Sequence, residues 1–92
     1  MFGYSGMSIN NVNKSLDVHG LNLNEAIKII ERNVEISYEN GISVLYINHG
    51  FNNGSKIKTW CLNKGNKIKH VIKVTPGINE GITNFYIEAK LF

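Results

Sequence analysis

The chain has one cysteine, one proline, one tryptophan, one arginine (Arg32) and one aspartate (Asp17) among its 92 residues. Cys61 has no partner for an internal disulfide, which sets aside the small secreted folds that rely on such staples. One Cys, three His and one Asp are a thin supply for a zinc site that needs three or four ligands. The longest uncharged apolar stretch, residues 42–47, is far short of the ~20 residues that span a bilayer. No charged-then-apolar N-terminal pattern resembles a secretory signal. These absences point to a cytoplasmic protein that is not held in a membrane.

What remains fits one globular domain. The hydrophobic fraction is 42% and the charged fraction 18%, enough apolar surface for one core without staples. Ten Lys and Arg against seven Asp and Glu give a formal charge of +3 and a pI near 9.1, compatible with a polyanionic partner without requiring one. The charge is unevenly spread. Residues 56–73 carry Lys56, Lys58, Lys64, Lys67, Lys69 and Lys73 and no acid, whereas residues 25–39 carry Glu25, Glu31, Glu35 and Glu39.

Residues 1–14 are rich in Gly, Ser and Asn with no sustained period, and read as a flexible tail before a domain over 15–92. Met7 is a second candidate start, which would make residues 1–6 foreign to the natural chain. Alternation predicts a strand over 15–19, with Leu16 and Val18 on one face and Asp17 and His19 on the other. Asn22 followed by Glu25 signals a helix start. Ala26, Ile27, Ile30, Val34 and Tyr38 then form a buried stripe, and Gly41 is the stop. Glu31, Glu35 and Glu39 share another face, expected to be solvated. The apolar run 42–49 suits a central strand, and the loop 49–54 leads to a second helix over 56–64. Ser55 is its expected cap, Ile57, Trp60 and Cys61 its buried side, and Gly65 its stop. Two alternating segments follow, 67–74 with Ile68, His70, Ile72 and Val74 inward, and 83–91 with Phe85, Ile87, Ala89 and Leu91 inward; Thr75, Pro76 and Gly77 turn the chain between them. The order βαβαββ gives an α/β chain of the α+β two-layer sandwich type. Its mixed four-stranded sheet carries two helices on one face.

A parallel βαβ unit places its crevice beyond the carboxyl ends of its strands. Both strands end here in His-Gly, at His19-Gly20 and His49-Gly50, so two imidazoles and the Asp17 carboxylate are expected to meet at one edge. The loop entering the second helix offers backbone N–H groups and a helix N-terminus to a phosphate, with Lys56 and Lys58 in the first turn. Phe51 is either a base-stacking platform or a residue packed under its own loop. His70 reads as a core or edge histidine.

With these residues in place, the chain resembles the Smr (small MutS-related) domain family over roughly residues 16–91. Leu16-Asp17-Val18-His19-Gly20 is similar to the family's L-D-x-H-G opening. His49-Gly50-Phe51-Asn52-Asn53-Gly54 matches part of its H-G-x-G-x-G loop, with Asn52 in place of the middle glycine. Glu25-Ala26 and Asn40-Gly41 also fit. The resemblance implies a fold like the C-terminal domain of translation initiation factor three. It also implies nucleic-acid binding, with several members nicking DNA or cleaving RNA. On that basis Asp17, His19 and His49 are the candidate catalytic residues. Gly20, Gly50, Phe51, Asn52, Asn53, Gly54, Ser55, Lys56 and Lys58 are the candidate phosphate- or nucleic-acid-binding residues. Lys58 stands where the family commonly has a basic residue, one position later; as a lysine it keeps charge and loses bidentate recognition.

The leading expectation is an endonuclease acting on RNA or flexible DNA. His19 would serve as general base or acid, Asp17 would orient it or bind one divalent cation (Mg or Mn), and His49 would help hold the phosphate. The site lacks the carboxylates of a two-metal nuclease. The alternative is a non-catalytic nucleic-acid-binding module, ribosome- or repair-associated, using Lys56, Lys58, Lys69 and Lys73 for phosphates. A protein-docking domain is supported least.

Overall fold

The structure, a computed structural model, describes residues 12–51 and 55–91. The elements follow in the order β1 (Asn13–Asp17), α1 (Leu23–Glu39), β2 (Val44–Asn48), α2 (Ser55–Lys64), β3 (Val71–Pro76) and β4 (Ile82–Ile87), with a short 3₁₀ turn at Gly65–Lys67 after α2. The four-stranded sheet runs β1-β2-β4-β3. β1 and β2 are parallel, while β4 lies antiparallel to both β2 and β3. This is the expected mixed sheet. β1 begins at Asn13, inside the segment expected to be tail; residues 1–11 lie outside the described part.

Period-two alternation decides which side chains enter the core. Leu45 and Ile47 of β2, Phe85 and Ile87 of β4, and Val18 just beyond β1 meet Ala26, Ile30 and Val34 of α1 and Ile57 and Cys61 of α2. Burying each of the larger groups contributes about 1.5–3 kcal/mol. Asn22 caps α1, its Oδ1 accepting from the Glu25 N–H at 2.9 Å, and Gly41 follows the helix at φ +73°. Both were legible in the sequence.

Several local expectations are corrected. Ser55 is the first helical residue of α2, so the cap position falls at Gly54, outside the described residues. α2 ends at Lys64, just before Gly65 as expected, but Gly65 takes no left-handed turn. It lies under the core, where a Cβ would meet Phe85 Cζ at 2.7 Å, so glycine is there for close packing.

The third correction is the 67–74 segment. Lys67 closes the 3₁₀ turn, and β3 starts only at Val71. A register shift between Val71 and Lys73 displaces the expected alternation at the start of β3, while Val74 packs against the core as expected. Val71 is buried, whereas Ile72 is exposed. A bulge adds one residue to one strand, and one residue is half a period. Ala89 and Leu91 are likewise exposed, because β4 ends at Ile87.

His70 sits between the 3₁₀ turn and β3 at φ +80°. Its ring stacks on Tyr38 with centroids 3.5 Å apart. Nδ1 is 2.7 Å from Glu88 Oε2, and Nε2 is 3.6 Å from Glu35 Oε1. Glu39 pairs with Lys90, and the hydrogen bond from Lys90 holds the Glu39 carboxyl below its ordinary range. Two of the three glutamates expected to be merely solvated therefore tie α1 to the start of β3 and the C-terminal segment. Among the described residues no helix is long and apolar enough to cross a membrane.

Candidate nucleic-acid site

The parallel pairing of β1 and β2 sets the two His-Gly dipeptides side by side and one residue out of step. Asp17 is opposite Asn48, and the Val18 N–H donates to the Asn48 carbonyl at 2.9 Å. Continuing that register places Val18 opposite His49 and His19 opposite Gly50. Side chains alternate along a strand, so the two imidazoles leave on opposite faces. Asp17 and His19 come together; His49 does not join them.

Asp17 and His19 lie on the open side of the sheet. Asp17 Oδ1 accepts from the His19 backbone N–H at 3.1 Å and from Nδ1 at 2.5 Å. The imidazole side-chain hydrogen bond is the main reason the Asp17 carboxyl is held below its ordinary value, with the backbone N–H second. An ionised carboxylate only accepts, so Nδ1 is the ring nitrogen that carries a proton toward Asp17 and Nε2 is the one not used in that bond. Both side chains are more than half exposed, His19 at 65% and Asp17 at 57%, so the pair is open to solvent.

His49 takes the opposite course. Its side chain is buried at 1% exposure, with Nε2 2.9 Å from Thr83 Oγ1 and Nδ1 3.2 Å from the Gly50 carbonyl. A carbonyl only accepts, so Nδ1–H donates to it and Nε2 accepts the Thr83 hydroxyl proton. Burial lowers the imidazole's affinity for a proton, and the charge of Lys58 lowers it further. His49 is thus a neutral brace inside the fold, and its expected grip on a phosphate has no geometric support. Thr83, the other half of this brace, was missed in the sequence, where it read only as the first residue of a strand.

This brace has a pH signature. The folded-state pKa of His49 is below its ordinary value of 6.5, so the unfolded chain binds the proton first as pH falls. Its contribution to stability is complete above pH 6.5 and declines as pH falls below it. Urea unfolding at about pH 7.5 and about pH 5.5 should show a loss of stability on acidification that His49→Gln reduces. An equal loss in the variant would contradict the neutral brace.

The second His-Gly turn is held by the residue preceding β4 and by Asn48. The N–H groups of His49 and Gly50 both donate to the Gly81 carbonyl, at 2.9 and 3.2 Å, and the Gly50 N–H also lies 3.2 Å from Asn48 Oδ1. Gly50 has φ +80°, and a Cβ there would lie 3.2 Å from His19 Cβ. Glycine at this position gives His19 its room. Gly20 has φ +82°, and a Cβ there would meet nothing within 4 Å beyond its chain neighbours.

Phe51 is 69% exposed, its ring edge beside Gly81. Asn52, Asn53 and Gly54 lie outside the described residues. Ser55 and Lys56 open α2 and line a groove with Leu21, Asn22, Leu23 and Asn24 at the start of α1. Lys58 is the lysine whose charge is felt at His49. Among the described residues no three His, Cys, Asp or Glu side chains gather as a metal site. Asp17 would offer a cation little beyond its second carboxylate oxygen, which does not amount to a protein-built site.

No family model matches the chain, and no curated protein matches it. Among solved structures, the crystal structure of the Smr domain of Thermus thermophilus MutS2 superposes with a TM-score of 0.74 at 22% identity, over 82% of this chain and 98% of that one. A likeness at this identity speaks for the backbone arrangement and leaves the chemistry to be argued from the residues. The chain has the fold of an Smr domain.

Proposed function

We propose that the protein is a nucleic-acid-binding domain that cleaves phosphodiester bonds, with His19 as general base and Asp17 as the group that orients it. The observation that carries this reading is the Asp17–His19 pair itself, joined through Nδ1 and exposed at the carboxyl ends of two parallel strands. The Smr fold, and the basic balance of the chain, support the class of ligand. His19 Nε2 takes the proton of an attacking hydroxyl; the oxygen bonds to phosphorus, and the bond to the leaving oxygen breaks as that oxygen takes a proton from solvent. Asp17 stabilises the imidazolium so formed. Lys58 and the first turn of α2 supply positive potential beside the second His-Gly turn. No step is routed through a cation.

Fluorescence anisotropy with a labelled single-stranded oligonucleotide at several salt concentrations tests the binding half. Affinity should fall as salt rises. Lys56→Ala with Lys58→Ala should reduce the slope of log K against log salt by about 0.7 for each phosphate that is no longer neutralised. Replacing Glu31 and Glu35 with Gln should leave affinity unchanged or raise it slightly. An unchanged slope in the lysine variant beside a large loss in the glutamate variant would move the ligand to the opposite side.

A further inference from the structure

Among the described residues the helices cover one face of the sheet and no element covers the other. On the bare face the outward positions fall into ranks across the strands: Val44 with Tyr86, and Ser15 with Tyr46, Asn84 and Thr75. Asp17 with Asn48 and Ile82 forms the next rank. Tyr86 on β4, Tyr46 on β2 and Asp17 on β1 therefore lie on one diagonal. Each step crosses one strand and advances one rank. Diagonal neighbours of this kind are about 7–8 Å apart, and the rise along a strand brings Asp17 about 6–7 Å beyond the Tyr46 rank.

Both tyrosines are half-buried, so their rings are held by their neighbours with a surface left open. They line a groove of about 620 Å³ together with Ser15, Asn84, Ile82 and Pro76. Its wall is mostly apolar, with Ile78 and Ile82 beside the tyrosines and Ser15, Thr75 and Asn84 as the polar groups, so it offers rings to stack on and a few edges to hydrogen-bond. Lys73 Nζ is 5.7 Å from the centre of the Tyr86 ring, a weak hold at that distance that leaves the ammonium able to meet a phosphate. Stacking on a tyrosine requires a free base face, and a duplex hides its base faces inside the helix.

From this diagonal we infer that the bare sheet face is a track for single-stranded nucleic acid. Tyr86 and Tyr46 stack successive bases, and the strand leaves the track at the Asp17–His19 pair. The inference deepens the cleavage reading and rests on it for what happens at the end of the track. The two are separable: bases stack on tyrosines whether or not His19 acts.

Anisotropy with a labelled oligouridylate of about 12 nucleotides should show Tyr46→Thr and Tyr86→Thr each weakening affinity about tenfold or more. Tyr46→Phe and Tyr86→Phe keep the ring and should stay close to wild type. Stacking releases no counterions, so the salt slope should not change in the Thr variants. A 5-iodouridine strand photocrosslinked to the unsubstituted protein should mark Tyr46 or Tyr86, which keeps the test decisive if a Thr variant unfolds. Full affinity in folded Thr variants, a preference for duplex, or crosslinks confined to the α2 side would overturn the track while leaving nucleic-acid binding in place. Absence of binding to any strand would overturn both readings. A concentration-dependent dimer that Tyr46→Thr abolishes, with no strand binding, would assign the face to a second copy of the chain.

Discussion

Replacing His19 by alanine should lower strand cleavage by about 10²–10⁴-fold while affinity for the strand changes little. The loss follows from removing the imidazole at the end of β1. Asp17→Asn keeps the outline of the carboxylate and removes its charge. It should also cost a large factor in rate, because a neutral amide neither fixes the imidazole tautomer as firmly nor stabilises the imidazolium. Neither change should unfold the protein, since both side chains are largely exposed. Single-turnover rates, with anisotropy for affinity and circular dichroism for the fold, separate the outcomes. Equal losses of binding and cleavage, or melting of the fold, would make the pair structural.

Gly50→Val should damage both stability and rate. The backbone there is at φ +80°, a region that a β-branched residue enters only under strain. The added Cβ would also press on His19 Cβ at 3.2 Å. Together these should cost about 1–3 kcal/mol of stability, and the displaced imidazole should slow cleavage as well. Gly41→Ala is the control, since Gly41 has φ +73° with nothing within 4 Å of its added Cβ. It should lose stability through the backbone alone and keep its rate. A Gly50 variant with normal cleavage would show that His19 does not depend on that space.

The fold was legible in the sequence where period and punctuation agree. Asn22, Glu25 and Gly41 bracket α1, and alternation through Leu16 and Val18 places Asp17 and His19 outward. The same alternation held the answer for His49. Leu45 and Ile47 point inward, so two residues later His49 points inward too. Identical His-Gly endings suggested that both imidazoles share a site, whereas the register Asp17 to Asn48 sets them one residue apart. The bulge after Val71 was not legible, because an inserted residue leaves no periodic trace beyond the shift it causes. The tyrosine diagonal was hidden for another reason. It depends on which strands are neighbours, and β4 reaches β2 only through the order of the folded sheet.

Incubating an end-labelled single-stranded oligoribonucleotide with the protein, with and without EDTA, tests cleavage at the Asp17–His19 pair most directly. Wild-type protein should yield shortened strands, in EDTA as well, and His19→Ala at matched saturation should leave the strands intact. A strand that is bound by both proteins and cut by neither would contradict the assignment, leaving a domain that holds nucleic acid without breaking it.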